Sequence, residues 1–356
     1  MGTALNTGAT RLIGSKRTER LIAEGEDVTC LVRSPANASR LRLMGARLVV
    51  GDVRDATSVR TAVDGAEIIY HLAGLVTAFR WKDMQEVNVD GFRKVVAACA
   101  AAAVPPTLVF VSSLAAAGPS SHDRPRIESD PPAPVSNYGR SKRAAELIAE
   151  EYADRVPITI VRPPIVYGEG DQNMLSVYRS IFRLGIHMAL GVAYSRYSLI
   201  HVSDLVDALI LCAQRGTRLQ PHDADPAAST NGATAPAPDG LSAAVPSGYY
   251  FVAGDEQPTF AELGSLIGVA LGRARVMIWR SSSTLLLWPA AAAAEVAARL
   301  RGRPYIFNFD KAREARAGSW TCSSQAIRSQ CGFAPRAPLS DRLRQTAAWY
   351  QQQNLL

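Results

Sequence analysis

Cysteine is scarce in this chain of 356 residues, which contains five in total. No two of them are spaced as a Cys-x-x-Cys pair, and their odd number does not suit a fully paired disulfide framework. We therefore predict buried or free thiols and no metal site. The cysteines are Cys30, Cys99, Cys212, Cys322 and Cys331.

The chain also lacks a long unbroken hydrophobic run. Residues 95–122 are uncharged, but two prolines, a Ser-Ser pair and a glycine interrupt them, which is atypical of a membrane-spanning helix. Residues 281–294 are too short to span a membrane and include Pro289. No basic region precedes an apolar segment at the N-terminus. We therefore predict a cytoplasmic protein without a membrane partner.

Runs of one charge sign are absent as well. The 39 Lys and Arg residues and 32 Asp and Glu residues give a formal net charge of +7, and they are scattered along the chain. This mild bias favours anionic ligands and predicts no nucleic-acid partner. A hydrophobic content of 47% indicates a globular protein. The length suits a large core plus a smaller lobe.

Apolar, strand-like segments alternate with helical patterns in the first half of the chain. Fully apolar strands separated by helices predict a doubly wound parallel sheet, the Rossmann type of α/β fold. The predicted strands are residues 4–6, 28–32, 47–51, 68–72, 107–112 and 158–162. The predicted helices between them are residues 15–24, 59–64, 88–103 and 141–152.

The alternation fades after residue 168, and we expect a smaller, mixed C-terminal lobe there. Residues 220–248 are rich in Pro, Ala, Ser, Gly and Asp, which is typical of a long mobile loop. We predict that residues 1–166 form the Rossmann domain and that 167–198 begin the lobe. Residues 199–219 return to the Rossmann domain, and residues 249–356 complete the lobe.

A glycine-containing turn joins the first strand to the first helix. Its sequence is Thr7-Gly8-Ala9-Thr10-Arg11-Leu12-Ile13-Gly14. Backbone N–H groups in such a turn can approach a pyrophosphate, and the helix dipole favours the negative charge. An inert turn is the alternative. The predicted dinucleotide contacts here are Gly8, Thr10, Arg11, Leu12, Ile13 and Gly14.

Arg33 follows the second strand, where dinucleotide-binding folds that use NAD commonly place an acid against the ribose hydroxyls. A guanidinium suits a 2′-phosphate instead, so we predict NADP as the cofactor, with NAD as the alternative. The alternative is that Arg33 is a solvated surface arginine with no role in cofactor binding.

Tyr138 and Lys142 are four residues apart at the start of a predicted helix, so their side chains share a face. An ammonium beside a phenol lowers the pKa of the tyrosine, as acid–base chemistry near neutral pH requires. A buried strand that ends in Ser112 and Ser113 precedes the pair. We predict Ser113, Tyr138 and Lys142 as the catalytic residues.

In this order and setting, these residues resemble the extended short-chain dehydrogenase/reductase family. The family includes NAD-dependent epimerases and dehydratases, 3β-hydroxysteroid dehydrogenases and dihydroflavonol reductases. The resemblance implies that Ser113 hydrogen-bonds the substrate oxygen, that Tyr138 exchanges its proton, and that Lys142 holds the nicotinamide ribose. Arg11 replaces the middle glycine of the family's GxxGxxG turn, where a side chain can block the close approach of the dinucleotide.

The resemblance extends over most of the chain through short motifs, including Gly51-Asp52-Val53, His71-Leu72-Ala73-Gly74 and Asn88-Val89-Asp90-Gly91. Arg162-Pro163-Pro164-Ile165 resembles the segment that passes the nicotinamide. The resemblance also implies a possible homodimer formed through the helices that begin near Asn88 and Ser141. The further cofactor contacts that it implies are Arg40, Asp52, Val53, Leu72, Ala73, Gly74, Asn88, Pro163 and Ile165.

From these features we predict an oxidoreductase that transfers a hydride between NADP(H) and a small-molecule secondary alcohol or ketone. The apolar run Leu285-Leu286-Leu287-Trp288 favours an apolar substrate. The first alternative is an NAD-dependent nucleotide-sugar epimerase or dehydratase, with Arg196 as the candidate diphosphate contact. The second alternative is a non-catalytic dinucleotide-binding or regulatory protein.

Overall fold

Parallel strands build the central sheet of the computed structural model, which describes residues 2–190, 194–221, 247–281, 284–302, 304 and 308–356. The strands are β1 (Thr3–Thr7), β2 (Asp27–Val32), β3 (Arg47–Val50), β4 (Ile68–His71), β5 (Thr107–Val111), β6 (Ile158–Arg162), β7 (Ile165–Tyr167), β8 (Ile186–Leu190), β9 (Leu199–His201), β10 (Tyr249–Phe251) and β11 (Met277–Ser281). Seven of them form one sheet in the order β10-β6-β5-β4-β1-β2-β3. The strand order therefore reverses at β1, where ligands of doubly wound folds bind.

Helices cover both faces of this sheet, as the sequence predicts. Because side chains alternate along a strand, Val109 of β5 belongs to the core on one face and Phe110 to the core on the other. The helices are α1 (Leu12–Ala23), α2 (Ser39–Leu43), α3 (Ala56–Val63), α4 (Trp81–Gln85), α5 (Gly91–Ala100), α6 (Leu114–Ala117), α7 (Asn137–Glu151), α8 (Gln172–Leu184), α9 (Val202–Arg215), α10 (Phe260–Ala270), α11 (Thr284–Leu300), α12 (Phe309–Arg316), α13 (Gln325–Cys331) and α14 (Leu339–Gln352). Helices α1, α9 and α13 contribute to the first core, and α3, α5 and α7 to the second.

The predicted doubly wound fold is confirmed, and the six predicted strands are all present. Helix α1 begins three residues earlier than predicted because Arg11 already adopts the extended conformation of an N-cap. A π-helical turn over Glu86–Asp90 precedes α5, so that helix is shorter than predicted. The sequence analysis places residues 249–356 in the lobe, whereas β10 pairs with β6 at the sheet edge.

The C-terminal lobe contains two further pairs of parallel strands, β8 with β11 and β7 with β9. Its core packs α8, α10 and α14 together, and the hydroxyl of Tyr178 donates to the carbonyl of Leu343 at 3.1 Å. All five cysteines are buried free thiols, as predicted. Most of the predicted loop, residues 222–246, lies outside the described residues, as do the side chains of residues 285–287.

Candidate active site

Two glycines allow the turn after β1 to pack closely against neighbouring backbone atoms. Gly8 has a φ of +77°, and a Cβ there would lie 2.8 Å from the amide nitrogen of Ala73, just beyond β4. A Cβ at Gly14 would overlap the carbonyl oxygen of Gly8. Only glycine allows both approaches, so the sequence dictates a tight connection between the turn, α1 and the end of β4.

Arg11, the departure from the family's glycine pattern, introduces no backbone strain. Its φ of −100° and ψ of 170° are extended values open to any residue, and its side chain is exposed beside the exposed Thr10. No side chain in the described structure caps the start of α1, and its first turn contains no acidic residue. The N–H groups of Leu12, Ile13 and Gly14 lie at this positive helix end, which fits an anionic pyrophosphate.

Charged side chains follow β2 and β3 at the same edge of the sheet. Arg54, which the sequence analysis missed, donates to both carboxylate oxygens of Asp52 at 3.0 Å. These hydrogen bonds lower the pKa of Asp52, and the exposed Arg33 lowers it further. The Arg40 guanidinium lies 3.6 Å from the Glu19 carboxylate of α1. The sequence signal for Arg54 was its position, two residues after Asp52, which is the predicted acidic cofactor contact.

The segment after β4 is fixed by the buried Asn88. The Asn88 side-chain amide accepts a hydrogen bond from the Leu75 amide at 2.7 Å and donates to the Leu75 carbonyl at 2.9 Å. The same amide nitrogen donates to the Ser141 hydroxyl of α7, also at 2.9 Å. A Cβ at Gly74 would lie 3.5 Å from Lys142 Nζ. Gly74, Asn88 and Lys142 therefore border one space.

Other predicted cofactor contacts form the backbone framework at the same strand ends. The Leu72 amide donates to the Thr7 carbonyl at 3.2 Å, and the Ala73 amide donates to Thr7 Oγ1 at 3.3 Å. The three remaining predicted cofactor contacts lie in different parts of the structure. Val53 is buried against Gly91, Pro163 accepts a hydrogen bond from the Leu114 amide at 2.9 Å, and Ile165 begins β7.

Ser113 and Tyr138 meet because α6 and α7 pack closely. Ser113 caps α6, where its hydroxyl accepts from the Ala115 amide at 3.1 Å. A Cβ at Gly139 would overlap the Ala115 carbonyl oxygen, so glycine permits the contact between the helices. Tyr138 is the second residue of α7, and the Ser113 side chain lies near enough to its phenol to lower the pKa of that phenol. The structure therefore brings two of the three predicted catalytic residues together.

Lys142 lies one turn further along α7 and is buried beside the end of β5. Its Nζ donates to the carbonyl of Val111 at 2.8 Å and lies 5.0 Å from the centre of the Phe110 ring. Burial lowers the pKa of Lys142 to about 8, although the carboxylate of Glu146 opposes this shift. The backbone contact orients the ammonium at the strand end.

The expected lowering of the Tyr138 pKa by Lys142 is not found. Burial raises the pKa of Tyr138 to about 12, and the Glu314 carboxylate raises it further. The interaction with the Ser113 side chain acts in the opposite direction and lowers this pKa. The shift goes upward because desolvation of the phenolate is the largest of these effects.

Helix α12 contributes charged residues that the sequence analysis missed. The Lys311 ammonium lies 6.0 Å from the centre of the Tyr138 ring, and Glu314 holds it through a 2.5 Å ion pair. The carboxylate of Asp310 accepts from the Asn137 amide at 3.0 Å. Asp310 and Asn137 lie 173 positions apart in the sequence, so no local pattern could have revealed this contact.

A buried ion pair links α7 to the end of β6. Arg162 at the end of β6 donates to both Glu146 carboxylate oxygens, at 2.8 and 2.7 Å. The Ser112 hydroxyl donates to the same carboxylate at 2.5 Å. Glu146 lies four residues after Lys142, on the same face of α7. The sequence analysis missed this link because Glu146 resembles an ordinary solvated residue of an amphipathic helix.

A model of the family described as "NAD dependent epimerase/dehydratase family" matches residues 4–224, which include this whole strand-end arrangement. The chain belongs to this family. The match confirms the resemblance to extended short-chain dehydrogenases/reductases that the sequence motifs indicate.

Curated members similar to this chain include a ceramide reductase of Caulobacter vibrioides, 34% identical over 209 residues, which are 59% of this chain and 60% of that protein. Human 3 beta-hydroxysteroid dehydrogenase type 7 is 36% identical over 152 residues, 38% of this chain and 41% of that protein. The chain thus spans well under two thirds of the length of each of these relatives.

Solved structures match the whole fold. One is described as "MoeE5 in complex with UDP-glucose and NAD"; it covers 99% of this chain and 100% of its own, with a TM-score of 0.73 and 22% sequence identity. At this identity the likeness concerns the fold.

Proposed function

We propose that this protein is an oxidoreductase that interconverts a secondary alcohol and a ketone with NADP(H). The observation that carries the proposal is the juxtaposition of the Ser113 and Tyr138 side chains, one helical turn from the buried Lys142. Folding alone does not require these three polar groups at one strand edge. Their arrangement also argues against a non-catalytic binding protein.

A bound nicotinamide dinucleotide would supply or accept the hydride. Ser113 and Tyr138 would both hydrogen-bond the substrate oxygen, and Tyr138 would donate its proton to that oxygen during reduction. Because its pKa is about 12, Tyr138 is protonated at neutral pH and can donate at once.

The residues that would hold the dinucleotide lie along one edge of the sheet. The uncapped start of α1 would bind the pyrophosphate through backbone N–H groups. Lys142 would use its remaining donors toward a ribose beside Gly74. The exposed Arg33 would bind the 2′-phosphate of NADP. Arg40 is the less favourable candidate for that phosphate because it already approaches Glu19.

An apolar substrate is supported by the names of two relatives, which refer to a ceramide and a 3β-hydroxysteroid. In this chain, Trp288 of α11 stacks on Phe309 at the start of α12, with ring centres 6.1 Å apart. Helix α12 also carries Lys311, which lies close to Tyr138. Helix α12 therefore carries an aromatic contact at its start and a cation beside the proposed catalytic tyrosine. We propose a lipid-like alcohol or ketone as the substrate class.

The alternative, an epimerase or dehydratase of nucleotide sugars, has less support from the lobe. Arg196, its candidate diphosphate contact, donates to the Gln257 carbonyl at 2.9 Å and lies 3.9 Å from the Glu262 carboxylate. Glu256 lines the same cavity of about 440 Å³. Two carboxylates beside the guanidinium disfavour a diphosphate there.

Titration of the purified protein with NADPH and NADH, followed by cofactor fluorescence, tests the cofactor assignment. We expect tighter binding of NADPH, and we expect Arg33→Asp to remove that preference. Arg42→Asp, at an exposed arginine of α2, is the matched control and should retain it. A preference for NADH in the unaltered protein would contradict the NADP assignment and favour the epimerase alternative.

Turnover with 3-keto lipids and with nucleotide sugars then separates the two reactions. We expect reduction of a 3-keto lipid, a loss of at least a hundredfold in Tyr138→Phe, and unchanged NADPH affinity in that variant. Epimerisation of a nucleotide sugar without ketone reduction would overturn the proposal. The cytoplasmic location and the homodimer also remain proposals, and light scattering of the pure protein tests the dimer.

A further inference from the structure

The outer side of the β8–β11 pair carries an unusual concentration of exposed apolar side chains. The exposed fractions are 54% for Met188, 67% for Met277 and 66% for Trp279. Leu184, which ends α8 just before β8, is 69% exposed. We call these four residues the apolar face.

The strand register explains why these side chains share one side. Trp279 pairs with Met188, and side chains of paired residues project to the same side of a sheet. His187, the neighbour of Met188, projects to the opposite side, where it is buried and its Nε2 lies 2.9 Å from the Phe260 carbonyl. The β8–β11 strand pair therefore contacts α10 through its inner side, and the apolar face lies on its outer side.

The charged residues in the two segments that carry the apolar face are all basic. Residues 172–190 and 263–281 contain no Asp or Glu. Arg183, in the last turn of α8, and Arg275, two residues before Met277, are both exposed. Arg273 donates to the Phe182 carbonyl, which holds a third positive charge at the end of α8.

We propose that the apolar face docks onto the surface of an anionic lipid bilayer. Tryptophan and methionine side chains would enter the interfacial region, while the arginines would remain at the level of the anionic headgroups. Each arginine near such a surface strengthens the attraction. The docking is peripheral, since no described helix is long and apolar enough to cross a membrane.

The charge pattern favours a lipid surface over a second copy of this chain. A two-fold contact through the apolar face would bring the arginines of both copies together without an acid between them. An anionic bilayer instead presents many negative charges to all of them at once. This proposal reverses the prediction of no membrane partner, which considered membrane-spanning segments only.

Sedimentation with lipid vesicles tests the docking. The full chain would be mixed with vesicles of phosphatidylcholine alone or with 30% phosphatidylglycerol, at low and at physiological salt. We expect binding to the anionic vesicles, at least tenfold weaker binding to the neutral ones, and weakening as salt rises. Because the readout is vesicle binding, the result does not depend on the proposed redox reaction.

Matched variants locate the contact. Trp279→Ser should weaken binding to anionic vesicles by fivefold or more, whereas Trp81→Ser, at an exposed tryptophan of α4, should leave it unchanged. Arg183→Glu combined with Arg275→Glu should weaken it by tenfold or more. Arg60→Glu, on the distant helix α3, is the charge-matched control.

Three outcomes would overturn the proposal. One is equal sedimentation with and without vesicles, and another is equal loss in Trp279→Ser and Trp81→Ser. The third is a dimer in light scattering that Trp279→Ser dissociates, since the face would then belong to a second copy. Unchanged thermal unfolding of each variant would show that altered binding does not arise from misfolding.

Discussion

Tyr138 is surrounded by groups from two other parts of the chain. The Ser113 side chain lies beside its phenol, and on α12 Lys311 lies over its ring while Glu314 places a negative charge nearby. Of these, only Ser113 belongs to the motif that the sequence reveals. The ionisation of the proposed proton donor therefore depends on the lobe as well as on the Rossmann domain, because Lys311 and Glu314 both lie on α12.

Replacing Glu314 tests this dependence. Glu314→Gln removes the charge that disfavours the phenolate, so the pKa of Tyr138 should fall, by up to about one unit. In alcohol oxidation Tyr138 must accept a proton, so the rising limb of the pH–rate profile should move to lower pH. Glu24→Gln, at the surface pair with Arg20 after the end of α1, is the control. An unchanged profile in Glu314→Gln would show that Glu314 does not act on Tyr138.

His71 provides a second prediction at the scale of one residue. It is fully buried at the end of β4, with Nδ1 3.0 Å from Thr7 Oγ1, and burial lowers its pKa to about 3. The unfolded chain binds this proton near pH 6.5, so the native state loses stability as the pH falls from about 6.5 toward 3. The loss contributed by His71 should reach about 1.4 kcal/mol at pH 5.5.

Urea unfolding at pH 8.0 and at pH 5.5 measures this contribution. His71→Asn should lose less stability between the two pH values than the unaltered protein, because asparagine does not titrate. His122→Asn, at an exposed histidine, should behave like the unaltered protein. The same pH dependence in all three proteins would contradict the assignment to His71.

At the scale of elements, local patterns predicted the strands of the sheet well. Fully apolar runs bounded by turn residues have few alternatives to buried parallel strands. Strand β10 was missed because it has only three residues and pairs with β6, some 90 positions earlier. Its place in the sheet depends on long-range pairing, which periodicity does not report.

The link between β6 and α7 leads to a third prediction. Glu146→Ala would leave the Arg162 guanidinium buried without its carboxylate, which should lower the free energy of unfolding by about 3–5 kcal/mol. Glu151→Ala on the same helix breaks a half-exposed pair with Arg93 and should cost less than about 1 kcal/mol. Urea unfolding at pH 7 measures both, and equal losses would contradict a special role for the buried pair.

Across the whole molecule, the sequence predicted the Rossmann half of the candidate site better than the lobe half. Motifs such as Tyr138-x-x-x-Lys142 are local, and their spacing alone places both side chains on one face of a helix. Lys311 and Glu314 reach Tyr138 only because the lobe folds back over α7. Such contacts depend on the packing of distant segments, so no window of the sequence contains them.

The buried carboxylate of Glu169 is one of the groups that attach α14 to the rest of the molecule. Glu169, in the loop after β7, accepts from Gln345 of α14 at 2.6 Å and lies 3.4 Å from His201 at the end of β9. Burial would raise the pKa of Glu169, but the interactions with His201, a backbone hydrogen bond and the Lys16 ammonium together outweigh it and lower that pKa to about 2. The carboxylate of Glu169 therefore contributes stability above the unfolded pKa of about 4.5.

This contribution should disappear as the pH falls from about 4.5 to about 2, with a loss of at most about 3 kcal/mol. Glu169→Gln should be less stable than the unaltered protein at pH 7 and should approach it in stability at acid pH. Thermal unfolding at pH 7, 4 and 3 measures the convergence. Glu151→Gln, at the half-exposed pair on α7, should show little convergence because water already screens that charge. The stability difference between Glu169→Gln and the unaltered protein could instead be the same at every pH. That result would mean that the Glu169 charge does not stabilise the attachment of α14. The hydrogen bond to Gln345 would then be the relevant contact.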